Sequence, residues 1–68
     1  MENKITTPTT QSIYDALYQD AYTADCNYNS GDQLNRHRVE ALKDKILNSC
    51  VEEAQRVASE AINGFICN

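Results

Sequence analysis

Tyr14, Tyr18 and Tyr22 are spaced by four, so a helix stacks their rings along one edge. Tyrosine buries an apolar ring and keeps a wet hydroxyl, which suits the rim of a core, a contact surface for a protein partner or a stack against a nucleobase. A second group is basic: Arg36-His37-Arg38, followed by Lys43 and Lys45. On a helical wheel Arg36 and Lys43 fall within the apolar arc, an unusual place for charge. Two explanations compete. Asp15, Asp20 or Asp25 neutralises these bases inside the fold, or they hold an anionic small ligand, such as a nucleotide phosphate, against the tyrosine edge. Tyr14, Tyr18, Tyr22, Arg36, Arg38 and Lys43 are therefore the candidate surface for a partner or ligand.

The acidic residues suggest a third possibility. Asp15, Asp20, Asp25, Asp32, Glu52, Glu53 and Glu60 read as solvated faces, or as a nucleic-acid-like field offered to a basic protein. With a net charge of -4 and a pI of 4.6, the chain is a poor fit to duplex nucleic acid, whose recognition draws on many phosphate contacts.

Nothing points to catalysis. The sequence has no Gly-rich phosphate loop and no nucleophile elbow, its one histidine, His37, has no evident triad partners, and Glu52 and Glu53 project to different sides of a helix. A non-enzyme is expected. Zinc needs about four thiolate or imidazole ligands, usually in close pairs, whereas Cys26, Cys50 and Cys67 lie far apart, so neither metal nor cofactor is expected. Three cysteines cannot all pair within one chain, and Met1 to Thr10 is polar, without the apolar run of a signal peptide. A reducing, cytoplasmic setting follows, with Cys50 as a small buried hydrophobe. No stretch approaches the roughly 20 apolar residues that span a bilayer.

The elements that would position these groups are helices. Residues 1–8 read as a flexible polar arm. A first helix is expected at about 9–26, with Thr7 as its cap and Pro8 in its first turn, and with apolar positions 13, 16, 17, 21 and 24 on one face. Residues 27–31, inside Asn27-Tyr28-Asn29-Ser30-Gly31-Asp32, are the clearest turn, and Ser30 with Gln33 has the form of a capping box for the next helix. From about 32 to 63 the apolar stripe Val39, Leu42, Ile46, Leu47, Cys50, Val51, Ala54, Val57, Ala58, Ala61, Ile62 and Phe65 keeps helical phase. That predicts one long helix, with a kink near 48–49 as the alternative because Ser49-Cys50-Val51-Glu52 is itself a capping box. Asn63-Gly64 suits a left-handed C-cap, before a short C-terminal tail.

A short turn makes the two helices antiparallel, and equal rise on both puts residues whose numbers add up to roughly 58 side by side. Tyr22 then faces Arg36, Asp20 faces Arg38 and Asp15 faces Lys43. The first helix reaches back only to about residue 49 by the same geometry. The stripe beyond it has no partner within such a hairpin, and 68 residues seldom stabilise a core alone. The fold class is therefore all-α: an antiparallel helical hairpin, short first helix and long second helix, assembling as a homo-oligomeric helical bundle through Cys50, Val51, Ala54, Val57, Ala58, Ala61, Ile62 and Phe65. In general plan it resembles the small helical proteins with which phages and mobile elements bind host factors stoichiometrically, although no motif selects one of them. The expected function is that of a cytosolic regulator, inhibitor or adaptor that binds itself and a protein partner. Sequestration of an anionic nucleotide at a subunit junction and acidic mimicry of nucleic acid are the alternatives.

Overall fold

The computed structural model describes residues 8–65. They form four helices, α1 (Thr10–Tyr28), α2 (Leu34–Glu40), α3 (Lys43–Leu47) and α4 (Val51–Asn63). The described residues contain no strand. The arm before residue 8 and the tail after residue 65, with the Thr7 cap and Cys67, lie outside the described residues.

α1 starts two residues later than a Thr7 cap with Pro8 in the first turn would place it. Thr9 is its N-cap: the Thr9 Oγ1 accepts a hydrogen bond from the Ser12 amide at 3.1 Å, and the Ser12 Oγ accepts from the Thr9 amide at 2.9 Å. Two otherwise orphaned donors are thereby satisfied. The helix ends at a tight turn in which Ser30 (φ 56°) and Gly31 (φ 86°) both adopt left-handed backbone, and the Asp32 amide donates to the Asn29 carbonyl at 3.0 Å. Positive φ at both central positions is the type I′ arrangement, natural for glycine and costly for serine.

The hairpin register follows the equal-rise rule. Arg36 stacks on Tyr22, Tyr18 donates to Glu40 at 3.3 Å, Lys43 stands over Tyr14, and the Thr10 hydroxyl reaches the Leu47 carbonyl at 3.5 Å. Among the described residues, the expected ion pairs Asp20–Arg38 and Asp15–Lys43 do not form.

The returning limb of the hairpin is not one helix. It breaks at Ala41–Leu42, where the Leu42 amide donates to the Val39 carbonyl at 2.9 Å in a tightened turn, and again at Asn48–Cys50, where Cys50 is extended (φ -75°, ψ 166°). The Ser49 hydroxyl is not a cap for α4; it donates back to the Lys45 carbonyl. Cys50 occupies the N-cap position and is exposed rather than buried. Glu52 and Glu53 lie in the first turn of α4, where the helix dipole favours negative charge. Gly64 ends the helix with φ -97°, so the left-handed cap expected of Asn63-Gly64 is absent.

The second break turns the chain back onto α1. α3 ends beside the start of α1, whereas Gly64 lies near Arg38, to the extent that a Cβ at Gly64 would sit 3.2 Å from the guanidinium. α4 therefore travels in the direction of α1, and α1 packs against all three other helices. Leu17, Ala21, Val39, Ile46, Ala54, Val57 and Ala58 form the core with the ring of Tyr14. The stripe from Cys50 to Phe65 thus has a cover that the two-helix geometry did not allow. Ala54, Val57 and Ala58 are buried within the chain, Ala61 and Phe65 pack against the core, Val51 is half-buried, and only Cys50 and Ile62 stay exposed. The physical reason is a comparison of magnitudes. Each helical hydrogen bond lost at the break costs about 1 kcal/mol, while burying a side chain such as Val57 contributes roughly 1.5–3 kcal/mol. The argument that this stripe requires a second subunit loses its premise.

The buried face of α1 is also turned from the expected one. Tyr14, Leu17, Ala21 and Asp25 are buried, Ile13 and Ala24 are intermediate, and Ala16 is exposed. α1 is covered from the tyrosine side by α2 and α3, which draws the core face toward that edge.

Candidate binding groove

Two polar sites occupy the α1–α2 interface. The first is a closed corner at the turn. Asp25 is fully buried in the last turns of α1, the negative end of the helix, yet it has four hydrogen-bond donors. Its Oδ1 accepts from the Asn35 amide at 3.0 Å and from the Asn29 side chain at 3.1 Å; its Oδ2 accepts from the Arg36 amide and from Arg36 Nε, both at 3.1 Å. Asn35 and Arg36 begin α2, so Asp25 caps that helix from another one. The Ser30–Gln33 capping box does not form; Gln33 holds the N-cap position without a side-chain bond. Burial alone would push the Asp25 carboxyl up, but the two amides, the guanidinium and the Asn29 side chain outweigh it and hold the carboxyl down at about 2. Arg36 also donates to the Gly31 carbonyl at 2.9 Å, and its guanidinium lies 4.6 Å from the Tyr22 ring centroid.

This corner occupies Arg36, one of the bases of the anion site that the sequence suggested. Arg36 is committed to Asp25, the turn and Tyr22, and Arg38 lies toward the end of α4. Lys43 sits 5.9 Å from the Tyr14 ring centroid. The structure brings Tyr22 together with Arg36 and Tyr14 with Lys43, but the three bases do not converge.

The second site is open. Tyr14, Asp15, Tyr18 and Gln19 of α1 and Glu40 of α2 line a groove of about 520 Å³. The Tyr14 and Tyr18 rings are 6.2 Å apart and tilted by 43°. Tyr14 is buried at the groove floor, Tyr18 is half-buried, and Asp15, Gln19 and Glu40 are exposed. Asp15 accepts from the Gln11 side chain at 2.9 Å, and Glu40 accepts from the Tyr18 hydroxyl. Neither carboxylate forms an ion pair among the described residues. Glu40 is moreover the last residue of α2, where the helix dipole favours a cation. Burial, together with Glu40, Tyr18 and Asp15, pushes the Tyr14 hydroxyl above the usual tyrosine range. The groove is thus a place of negative potential next to aromatic rings. Its acids, Asp15 and Glu40, were not singled out together from the sequence; the equal-rise rule, applied to Tyr18, would have found Glu40.

His37 is exposed on α2, Cys26 and Cys50 are free and exposed, and the described residues contain no cluster of three His, Cys, Asp or Glu placed to hold a metal ion. No helix among the described residues is long and apolar enough to cross a membrane. On α4 the exposed Arg56 pairs with Glu53 and, at 2.7 Å, with Glu60, which lowers the Glu53 carboxyl from its ordinary value. A further groove of about 280 Å³ runs between α1 and α4, lined by Ile13, Ala16, Gln55, Ser59 and Ile62 among others. Compared with known proteins, the sequence matches no family model, and no curated protein or solved structure is significantly similar to it.

Proposed function

We propose that this chain is a small non-enzymatic interaction protein that acts by stoichiometric binding of a protein partner through the groove of Tyr14, Asp15, Tyr18, Gln19 and Glu40. The observation that carries this reading is the pairing, in one open groove, of two tyrosine rings with two carboxylates that form no ion pair among the described residues. Tyrosine at a half-buried edge is typical of protein contact surfaces, and exposed carboxylates whose internal donors are uncharged, Gln11 for Asp15 and Tyr18 for Glu40, keep acceptor capacity for a cation of a second molecule. The anionic-nucleotide alternative is weakened because its central base, Arg36, already has a carboxylate, a carbonyl and a ring. Acidic mimicry is weakened because Asp25 is drawn into the interior and breaks the acidic row of α1.

Photo-crosslinking tests the reading. A crosslinking phenylalanine analogue at Gln19, inside the groove, is expected to capture one discrete protein from an extract of the native source, in a one-to-one adduct. The same analogue at Ser59, in the groove between α1 and α4, is expected to capture none. Failure of Gln19 to capture a protein would overturn the proposal.

A further inference from the structure

The tyrosine row of α1 is a row of cation acceptors. Tyr22 receives the guanidinium of Arg36 at 4.6 Å and Tyr14 receives the ammonium of Lys43 at 5.9 Å, both within the range at which a ring's quadrupole attracts a cation. Tyr18, between them, receives no cation from the described residues; its hydroxyl instead donates to Glu40. Asp15 and Glu40 flank it, exposed and without an ion pair among the described residues.

We infer that this groove takes an arginine side chain presented by the partner protein, with the guanidinium lying on Tyr18 and shared between the carboxylates of Asp15 and Glu40. The inference rests on the proposed protein-binding role and specifies the chemistry of the partner. Arginine fits better than lysine because its planar group stacks on a ring and donates along its edge at the same time, whereas an ammonium acts as a compact, strongly hydrated point charge. The corner at Asp25 displays the same recognition within the chain: one guanidinium shared between a carboxylate, a carbonyl and a tyrosine face. The open groove offers those acceptor types with a second carboxylate in place of the carbonyl. The excess of acid over base in the chain, ten against six, favours the approach of a basic partner.

The test is an amide-shift titration of the whole chain with a blocked pentapeptide, Gly-Ser-Arg-Ser-Gly, and with its lysine and citrulline counterparts. Citrulline keeps the shape of arginine and removes its charge. The arginine peptide is expected to shift Asp15, Tyr18, Gln19 and Glu40 at concentrations where the citrulline peptide shifts none of them, with the lysine peptide weaker. Glu40→Gln and Asp15→Asn should each weaken binding about two- to fivefold, as expected for loss of one exposed ion pair. Lys43→Ala, which removes the chain's own cation from Tyr14, should tighten it. Glu52→Gln, on α4, should leave it unchanged, and helical circular dichroism verifies that each variant is folded. Equal shifts from citrulline, shifts scattered over Asp20, Asp44 and Glu52, or unchanged binding in Glu40→Gln would each overturn the inference. Crosslinking from Gln19 separates it from the broader proposal: an adduct that survives unchanged in Glu40→Gln retains a protein partner and rejects its arginine.

Discussion

At the turn end of α1, a tyrosine, a carboxylate and a guanidinium close on one another; one or two helical turns earlier on the same edge, two tyrosines meet two carboxylates without such a closure. The residue types are nearly the same, and their degree of completion separates them. Asp25 has a donor for each accepting position it uses and is buried, so its corner holds the fold. Asp15 and Glu40 are wet, and their bonds come from uncharged side chains, so their groove keeps acceptors open to solvent. Polar groups satisfied in the interior are parts of the frame, and the same residue types at the surface remain free to exchange partners with solvent.

Removing the carboxylate at each place should separate the two most widely. Asp25→Ala leaves a mostly buried guanidinium and three further donors without their acceptor, a change that costs about 3–5 kcal/mol for a buried pair. A domain of this size is worth about as much in total. The variant is expected to be largely unfolded by circular dichroism at neutral pH, and a urea midpoint close to that of the parent would contradict the assignment of Asp25 to the frame.

Acid should act on the same corner. The folded-state carboxyl of Asp25 lies at about 2, below the ordinary value of 3.8 that applies to the open chain. Its contribution is fully present above the higher value and is lost as pH falls through the lower one. The urea midpoint should therefore decline steadily between those two values. Glu40→Gln should leave that decline unaltered, and a decline abolished by Glu40→Gln would assign the acid-sensitive contact to the wrong site.

Val57 gives an intermediate effect and bears on whether the core belongs to one chain. Val57→Ala removes the equivalent of two methylene groups from a buried site, about 2 kcal/mol with the cavity included. Because α4 packs on α1 of the same chain, the loss in melting temperature should be the same across a roughly hundredfold range of protein concentration. A melting temperature that climbs with concentration would show that a second subunit shares the core.

The smallest effect is expected in the groove. Glu40→Gln should change stability by no more than about 0.5 kcal/mol, as is usual for exposed positions. A larger loss would move Glu40 from the open site to the frame and remove the contrast between the two.

Much of this arrangement can be read from residue spacing, and the limits of that reading are physical. Tyr22 with Arg36 follows from two helices of equal rise joined by a short turn, whereas Lys43, expected beside Asp15, stands one position away over Tyr14. The misplacement of Arg36 on an apolar arc correctly signalled an internal carboxylate, and the structure selects Asp25 from the three aspartates available. The return of α4 was hidden because a stripe in helical phase is equally consistent with one long helix and with two helices folded on a common partner. Ser30 and Gln33 drew attention as a local cap, whereas the cap of α2 comes from a residue ten positions before Asn35, beyond the reach of local patterns. The groove was only half visible: its tyrosines stand on one helix at regular spacing, but Glu40 joins them across the hairpin.

The cross-helix cap also orders the events of folding. A helix of seven residues such as α2 does not persist in water by its own propensity, because the cost of its first turn is not recovered over so short a length. Its amides find their acceptor on α1, so the final turns of α1 must be wound before α2 can hold. Opening of that end of α1 therefore releases α2 as well. Hydrogen exchange should find the amides of Asn35 and Arg36 no better protected than the last turn of α1 that carries Asp25, which makes the hairpin end a single cooperative unit.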